Sequence, residues 1–193
     1  MKPNPLGSRG YALEQAFFNK LQEEQLERIR AESRREEDRR ELGAELEIED
    51  ESLLDSLIDL GVTASTAAAF EALPLVEVAW ADGDVDSQER WRVLTLAIAF
   101  GLELGRSAHA QLELWLTRRP EQEIFDAWYR FATGGLAGPA AASRARRVLE
   151  GAAQVAKAAG GVLGFWTVSS SERSAIDRIA RALVSPSPHP DLN

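Results

Sequence analysis

The chain has 193 residues, 45% of them hydrophobic, which suits one domain with a real core plus an accessory segment. Cysteine is absent, so disulfides, thiolate metal sites and cysteine nucleophiles are excluded together. The net charge of −9 is uneven: residues 1–47 carry 9 basic and 11 acidic side chains, residues 48–103 carry 2 and 12, and residues 104–193 carry 11 and 8. Nucleic acid is repelled by the acidic middle, and the basic excess after it is too diffuse for a binding stripe. A cation or a basic protein surface is the more natural partner. No apolar run reaches the roughly 18 residues of a spanning helix, so no transmembrane segment is expected. Met1-Lys2-Pro3-Asn4-Pro5 opens into polar sequence, unlike a signal peptide, and the expected location is cytoplasmic.

Apolar residues recur at helical spacing almost throughout and nowhere alternate for long, which predicts an all-α, compact multi-helix chain. The first helix starts near Gly10 and fills a charged amphipathic segment, residues 1–47. Leu13, Phe17 and Leu21 form a stripe, with Phe18, Gln25 and Ile29 beside it. From Arg30 to Glu41 nothing larger than alanine is available to bury, and pairs such as Arg34–Asp38 and Glu36–Arg40 support a solvated rod. Phe17 and Phe18 are expected to dock on their own domain; the competing reading makes Phe17, Phe18 and Leu21 an anchor for a protein partner.

A turn near Glu47–Asp50 opens the compact part, residues 48–184. Asp50 caps a helix carrying Leu53, Leu54, Leu57, Ile58 and Leu60, which stops at Gly61. The next helix runs from about Thr66 through Trp80, kinked or broken at Pro74. Trp91, Leu94, Ile98 and Leu102 define another, ending near Gly105. Helices follow over roughly 107–117, 121–133 and 139–159, with Pro120 and Pro139 near starts and Gly134-Gly135 and Gly160-Gly161 at ends. Phe165 and Trp166 sit in an apolar loop, 161–168, and are expected to plug the core. A last helix covers about Ser170 to Val184, before a Pro/Ser-rich tail, 185–193, expected to be disordered. Trp115, Trp128 and Tyr129 have core spacing, and Arg144, Arg146 and Arg147 form a solvated face that pairs with the acidic segment.

Asp82, Asp84, Asp86 and Glu89 place four carboxylates within eight positions, between two apolar helical runs. Their mutual repulsion has to be offset by a cation, by helix N-terminal N–H groups or by water. A related unit recurs. Val78–Gly83 leads to Asp86-Ser87-Gln88-Glu89 and a helix, and Val155–Gly161 leads through a longer loop to Ser169-Ser170-Ser171-Glu172 and another helix. In both, a capping residue precedes Glu by three positions, so Asp86 with Glu89 and Ser169 with Glu172 each read as a capping box. Capping accounts for Asp86 and Glu89 without a metal. Asp82 and Asp84 have no counterpart in the second copy.

Ala81, Asp82, Gly83, Val85 and Glu89, with the second half-motif at Gly160–Glu172, resemble the tellurite-resistance TerB-like family. That family carries an Ala-Asp-Gly-x-(Val/Ile)-x-x-x-Glu turn between helices, and the resemblance covers roughly residues 64–184. It implies a compact helical domain with an acidic face, linked to metal-ion stress response and to membrane-associated or chaperone-associated complexes. It also implies that Asp82 and Glu89, the positions that carry over, are candidate metal ligands. The long loop before Ser169 and the acid-poor second copy depart from the pattern. Separately, Arg9-x-x-Ala12-x-Glu14-x-x-Phe17-Phe18-x-Lys20 is faintly similar to the start of small helical bacterial inhibitors of the ATP synthase, which implies a regulatory helix.

Asp82, Asp84 and Asp86 match the first, third and fifth ligand positions of an EF-hand. Ser87 stands where that loop needs Gly and Val93 where it needs a bidentate Glu, so an EF-hand is excluded. A looser oxygen site made by Asp82, Asp84, Asp86 and Glu89 would favour calcium, magnesium or manganese. His109 and His189 lack partners at metal-site spacing, and Gly-x-Ser-x-Gly, phosphate-cradling Gly-rich loops and His-Glu-x-x-His are absent from the sequence. The expectation is a non-enzymatic adaptor.

Overall fold

The structure, a computed structural model, describes residues 5–135, 141–159 and 169–184. The fold is all-α, with no strand among the described residues. The chain divides into two units, one ending at Arg40 and one beginning at Glu41.

The first unit is most of helix α1 (Pro5–Leu46), which begins earlier than Gly10 because Pro5 is tolerated in a first helical turn. It is a charged rod, with ion pairs such as Lys20–Glu24 at 3.8 Å and Glu37–Arg40 at 3.5 Å.

The second unit starts seven residues before residue 48, since Leu42 and Leu46, on the last turns of α1, are fully buried. Glu47 ends the helix in the left-handed region (φ 57°), and the Ile48 N–H donates to the Gly43 carbonyl at 3.0 Å. That 6→1 bond closes the helix and tucks Ile48 beneath it. Helix α2 (Glu51–Asp59) is capped by Asp50, whose carboxylate accepts the Leu53 N–H at 3.0 Å. At Pro74 the long helix breaks: a 3-10 turn (Ala64–Thr66) and α3 (Ala67–Glu71) precede α4 (Leu73–Ala79), where Pro74 occupies the first turn and its missing N–H costs nothing. Then come α5 (Ser87–Ala97), α6 (Ser107–Thr117), α7 (Gln122–Arg130) running into a π-helical turn (Phe131–Gly135), α8 (Ala141–Ala159) and α9 (Ser170–Val184).

α4 is the hub. Six of its seven residues are buried, and it packs on α5, α6, α7, α8 and α9. The contact with α8 is close enough that a Cβ on Gly151 would lie 2.8 Å from Leu75 Cδ2. Glu77, the remaining residue of α4, accepts the Tyr129 hydroxyl at 2.7 Å and pairs with Arg178 at 2.8 Å, tying α4 to α7 and α9. Burial, then the Glu77 charge beside it, raises the Tyr129 pKa, so the phenol stays protonated and donating. Phe70 and Phe131 stack in the core with centroids 5.6 Å apart, and Trp115 and Trp128 are buried.

Two expectations need correction. The helix read from Trp91, Leu94, Ile98 and Leu102 does not reach Gly105: α5 stops at Ala97, a 3-10 turn follows over Ile98–Phe100, and the stripe does not face inward as a set. Trp91 is 61% exposed and Ile98 53%, while Glu89, Val93 and Ala97 are buried. The buried capping glutamate lies on that inward face of α5. Arg144 is not solvated either. Its guanidinium is nearly buried, 3.2 Å from Glu71 and 3.5 Å from Glu47. Glu71 does belong to the acidic segment, and burial raises its pKa against the lowering effect of Arg144.

Pro139, Gly160, the apolar loop 161–168 and the tail 185–193 with His189 lie outside the described residues. Among the described residues no single helix is long and apolar enough to cross a membrane.

Candidate functional site

The acidic turn joins α4 to α5 and is held to α6 on both sides. Before it, the Trp80 indole N–H donates to the Trp115 carbonyl at 2.8 Å. After it, Arg90 donates to the Leu116 carbonyl at 2.9 Å and to the Thr117 hydroxyl at 3.0 Å. α6 has no basic residue in its own last turn, so Arg90 supplies the cation that its C-terminal carbonyls favour. Gly83, at φ 103°, allows the chain to reverse between these two anchors.

Within the turn the four carboxylates divide into two pairs. Asp86 is the N-cap of α5: its Oδ1 accepts the Gln88 N–H at 2.7 Å and the Glu89 N–H at 2.8 Å. Glu89 reaches back and accepts the Asp86 N–H at 2.9 Å through Oε2, completing the capping box. These two acids are occupied by the backbone, as the spacing predicts. Asp84 Oδ1 accepts the Val85 N–H at 2.9 Å, and Asp82 Oδ1 makes a longer bond, 3.4 Å, with the Asp84 N–H. Both side chains are exposed. Among the described residues, no three of the His, Asp and Glu side chains converge as a cluster that could hold a metal ion. The exposed acids not engaged in capping are therefore Asp82 and Asp84, and Trp91 is exposed one helical turn beyond the cap with Arg92 5.2 Å from its ring.

The second half repeats the cap without the free acids. Ser169 N–H donates to Glu172 Oε2 at 2.6 Å, and the Glu172 N–H donates to Ser169 Oγ at 3.1 Å. Glu89 and Glu172 are each only 3% exposed. Burial, followed by the charges of Asp86, Asp82 and Glu172, pushes the Glu89 carboxyl up to about 7 against the lowering effect of the Asp86 N–H. Glu172 thus lies within electrostatic range of Glu89, and its Oε1 is buried with no hydrogen-bond donor among the described residues. Neither this approach of the two halves nor the Arg90 anchor is marked in the sequence. A Glu at N3 reads the same whether buried or solvated, and Arg90 follows the motif without a local partner.

No protein-family model matches this sequence, and neither a curated protein nor a solved structure is detectably similar to it.

Of the partner-binding residues read from the sequence, Phe17 is 61% exposed, Phe18 52% and Leu21 39%. The two rings meet edge to face, 6.1 Å between centroids, and Leu26 and Ile29 continue the exposed apolar positions along the rod. His109 is half-buried on α6, 3.6 Å from Glu113.

Proposed function

We propose that this chain is a non-enzymatic helical adaptor of the TerB-like kind, whose acidic turn engages a basic protein partner, in a setting such as stress response. The observation that carries the reading is the division of labour within the turn. Asp86 and Glu89 are spent on capping, which leaves Asp82 and Asp84 exposed on a loop anchored at Trp80 and Arg90. An anchored, net-negative turn with the exposed Trp91 ring nearby offers charge steering and an apolar contact to a basic surface. The test is capture of binding proteins by the wild type and by Asp82→Asn with Asp84→Asn. The reading expects a partner lost in the double variant and weakened by salt; a partner set unchanged by the substitution sinks it.

Binding of calcium, magnesium or manganese at the same turn is the second reading, favoured by the same two exposed carboxylates, neither of which caps a helix. It predicts a saturable change in Trp fluorescence on titrating chelator-treated protein with each cation, absent from the double variant. The exposed Phe17, Phe18 and Leu21 support a further role for the rod, as a regulatory or inhibitory helix that docks a second protein. That role would be lost on deleting residues 1–40 and kept on changing Asp82.

A further inference from the structure

On the end of α6 that also anchors the acidic turn, the start of α7 and the end of α2 complete an open groove of about 310 Å³. Leu60, Leu114, Ile124 and Trp115 give it an apolar lining, with Ile124 and Trp115 themselves buried. Leu60 and Leu114 are 36% and 55% exposed, an arrangement that leaves large aliphatic side chains in water unless something covers them. Its charged lining is Arg118, Arg119 and Glu121, a local excess of one positive charge. Arg118 has a loose ion pair with Glu121 at 3.9 Å, both side chains 81% exposed, and Arg119 makes no ion pair or hydrogen bond among the described residues.

We propose that this groove binds a small amphiphilic carboxylate, an acyl chain or single aromatic ring carrying one anionic head. Its volume is at the small end of the range for ligand pockets, about 300–1,000 Å³. A compact ligand fits that volume. The charge pattern selects the head. In a chain of net charge −9 an anion is repelled at long range, and the two guanidiniums supply the local attraction and a bidentate match to a carboxylate. The apolar walls select the tail, whose transfer from water covers Leu60 and Leu114.

The test uses the full chain and octanoate, followed by calorimetry and by Trp fluorescence, with 1-octanol and acetate as tail-only and head-only probes. Saturable octanoate binding, weakened about tenfold or more by Arg118→Gln with Arg119→Gln, is expected, with both control probes weaker than octanoate. Both arginines are exposed, so the double variant should keep the wild-type circular dichroism and melting temperature. Equal binding of 1-octanol would make the groove a bare apolar slot, and equal binding of acetate would make the arginines ordinary surface charge. Either result, unchanged binding in the double variant, or no saturable octanoate binding overturns the proposal.

Discussion

Glu89 carries two opposed demands. Its carboxylate completes a capping box, which favours the charged form, and it is buried near three other acids, which disfavours it. Because the folded-state value, about 7, lies above the usual 4.5, the native chain holds this proton more tightly than the unfolded chain does. Its contribution to stability is therefore fully present below 4.5 and is lost as pH rises towards 7. Thermal melts across that range should show wild type falling with pH while Glu89→Gln, which keeps an oxygen to accept the Asp86 N–H, falls less. Parallel slopes would mean that Glu89 is not the titrating group. Asp86 makes the stronger cap, accepting two N–H groups at under 3 Å, so Asp86→Ala should cost about 1 kcal/mol in denaturant unfolding. Asp82→Ala, at an exposed position with one 3.4 Å bond, should remain within roughly 0.5 kcal/mol of wild type.

At the scale of elements, what was legible was what is locally determined. The last helix spans the residues its periodicity marks, Pro74 breaks the helix it interrupts, and both capping boxes form as their four-residue spacing requires. The inward face of α5 was not legible, because two stripes compete there. Trp91 with Ile98 is the more apolar, yet the stripe of Glu89, Val93 and Ala97 is the buried one, and pattern reading scores a glutamate as a solvent-facing residue. The end of α1 misleads for the opposite reason. Leu42 and Leu46 are isolated apolar positions after a long charged run, and only tertiary contacts show them as core. Leu46→Ala should accordingly cost about 2–5 kcal/mol of stability, whereas Ile29→Ala on the same helix should be nearly neutral in the same urea titration.

For the whole molecule, the helical class and the acidic centre were both readable from periodicity and charge, while the pairing of the free acids with an anchored, capped loop was not. The anchors run from Trp80 and Arg90 to main-chain carbonyls more than twenty positions away, and carbonyls carry no sequence signal. The core is assembled from Leu42 onward, so residues 41–193 should fold alone and retain the wild-type melting temperature within a few degrees. A loss of cooperative melting in that fragment would show that the rod contributes to the core unit's stability.

The hydrogen bond from Trp80 gives the acidic turn its own clock. An indole proton held at 2.8 Å by a main-chain oxygen exchanges with deuterated solvent only when that bond opens. Its exchange rate therefore times the moments at which the turn lets go of α6. A partner that grips Asp82 and Asp84 and tightens the turn would slow that rate, and one that peels the turn away would quicken it, so the decay of a single proton resonance separates two modes of engagement that an affinity alone cannot distinguish.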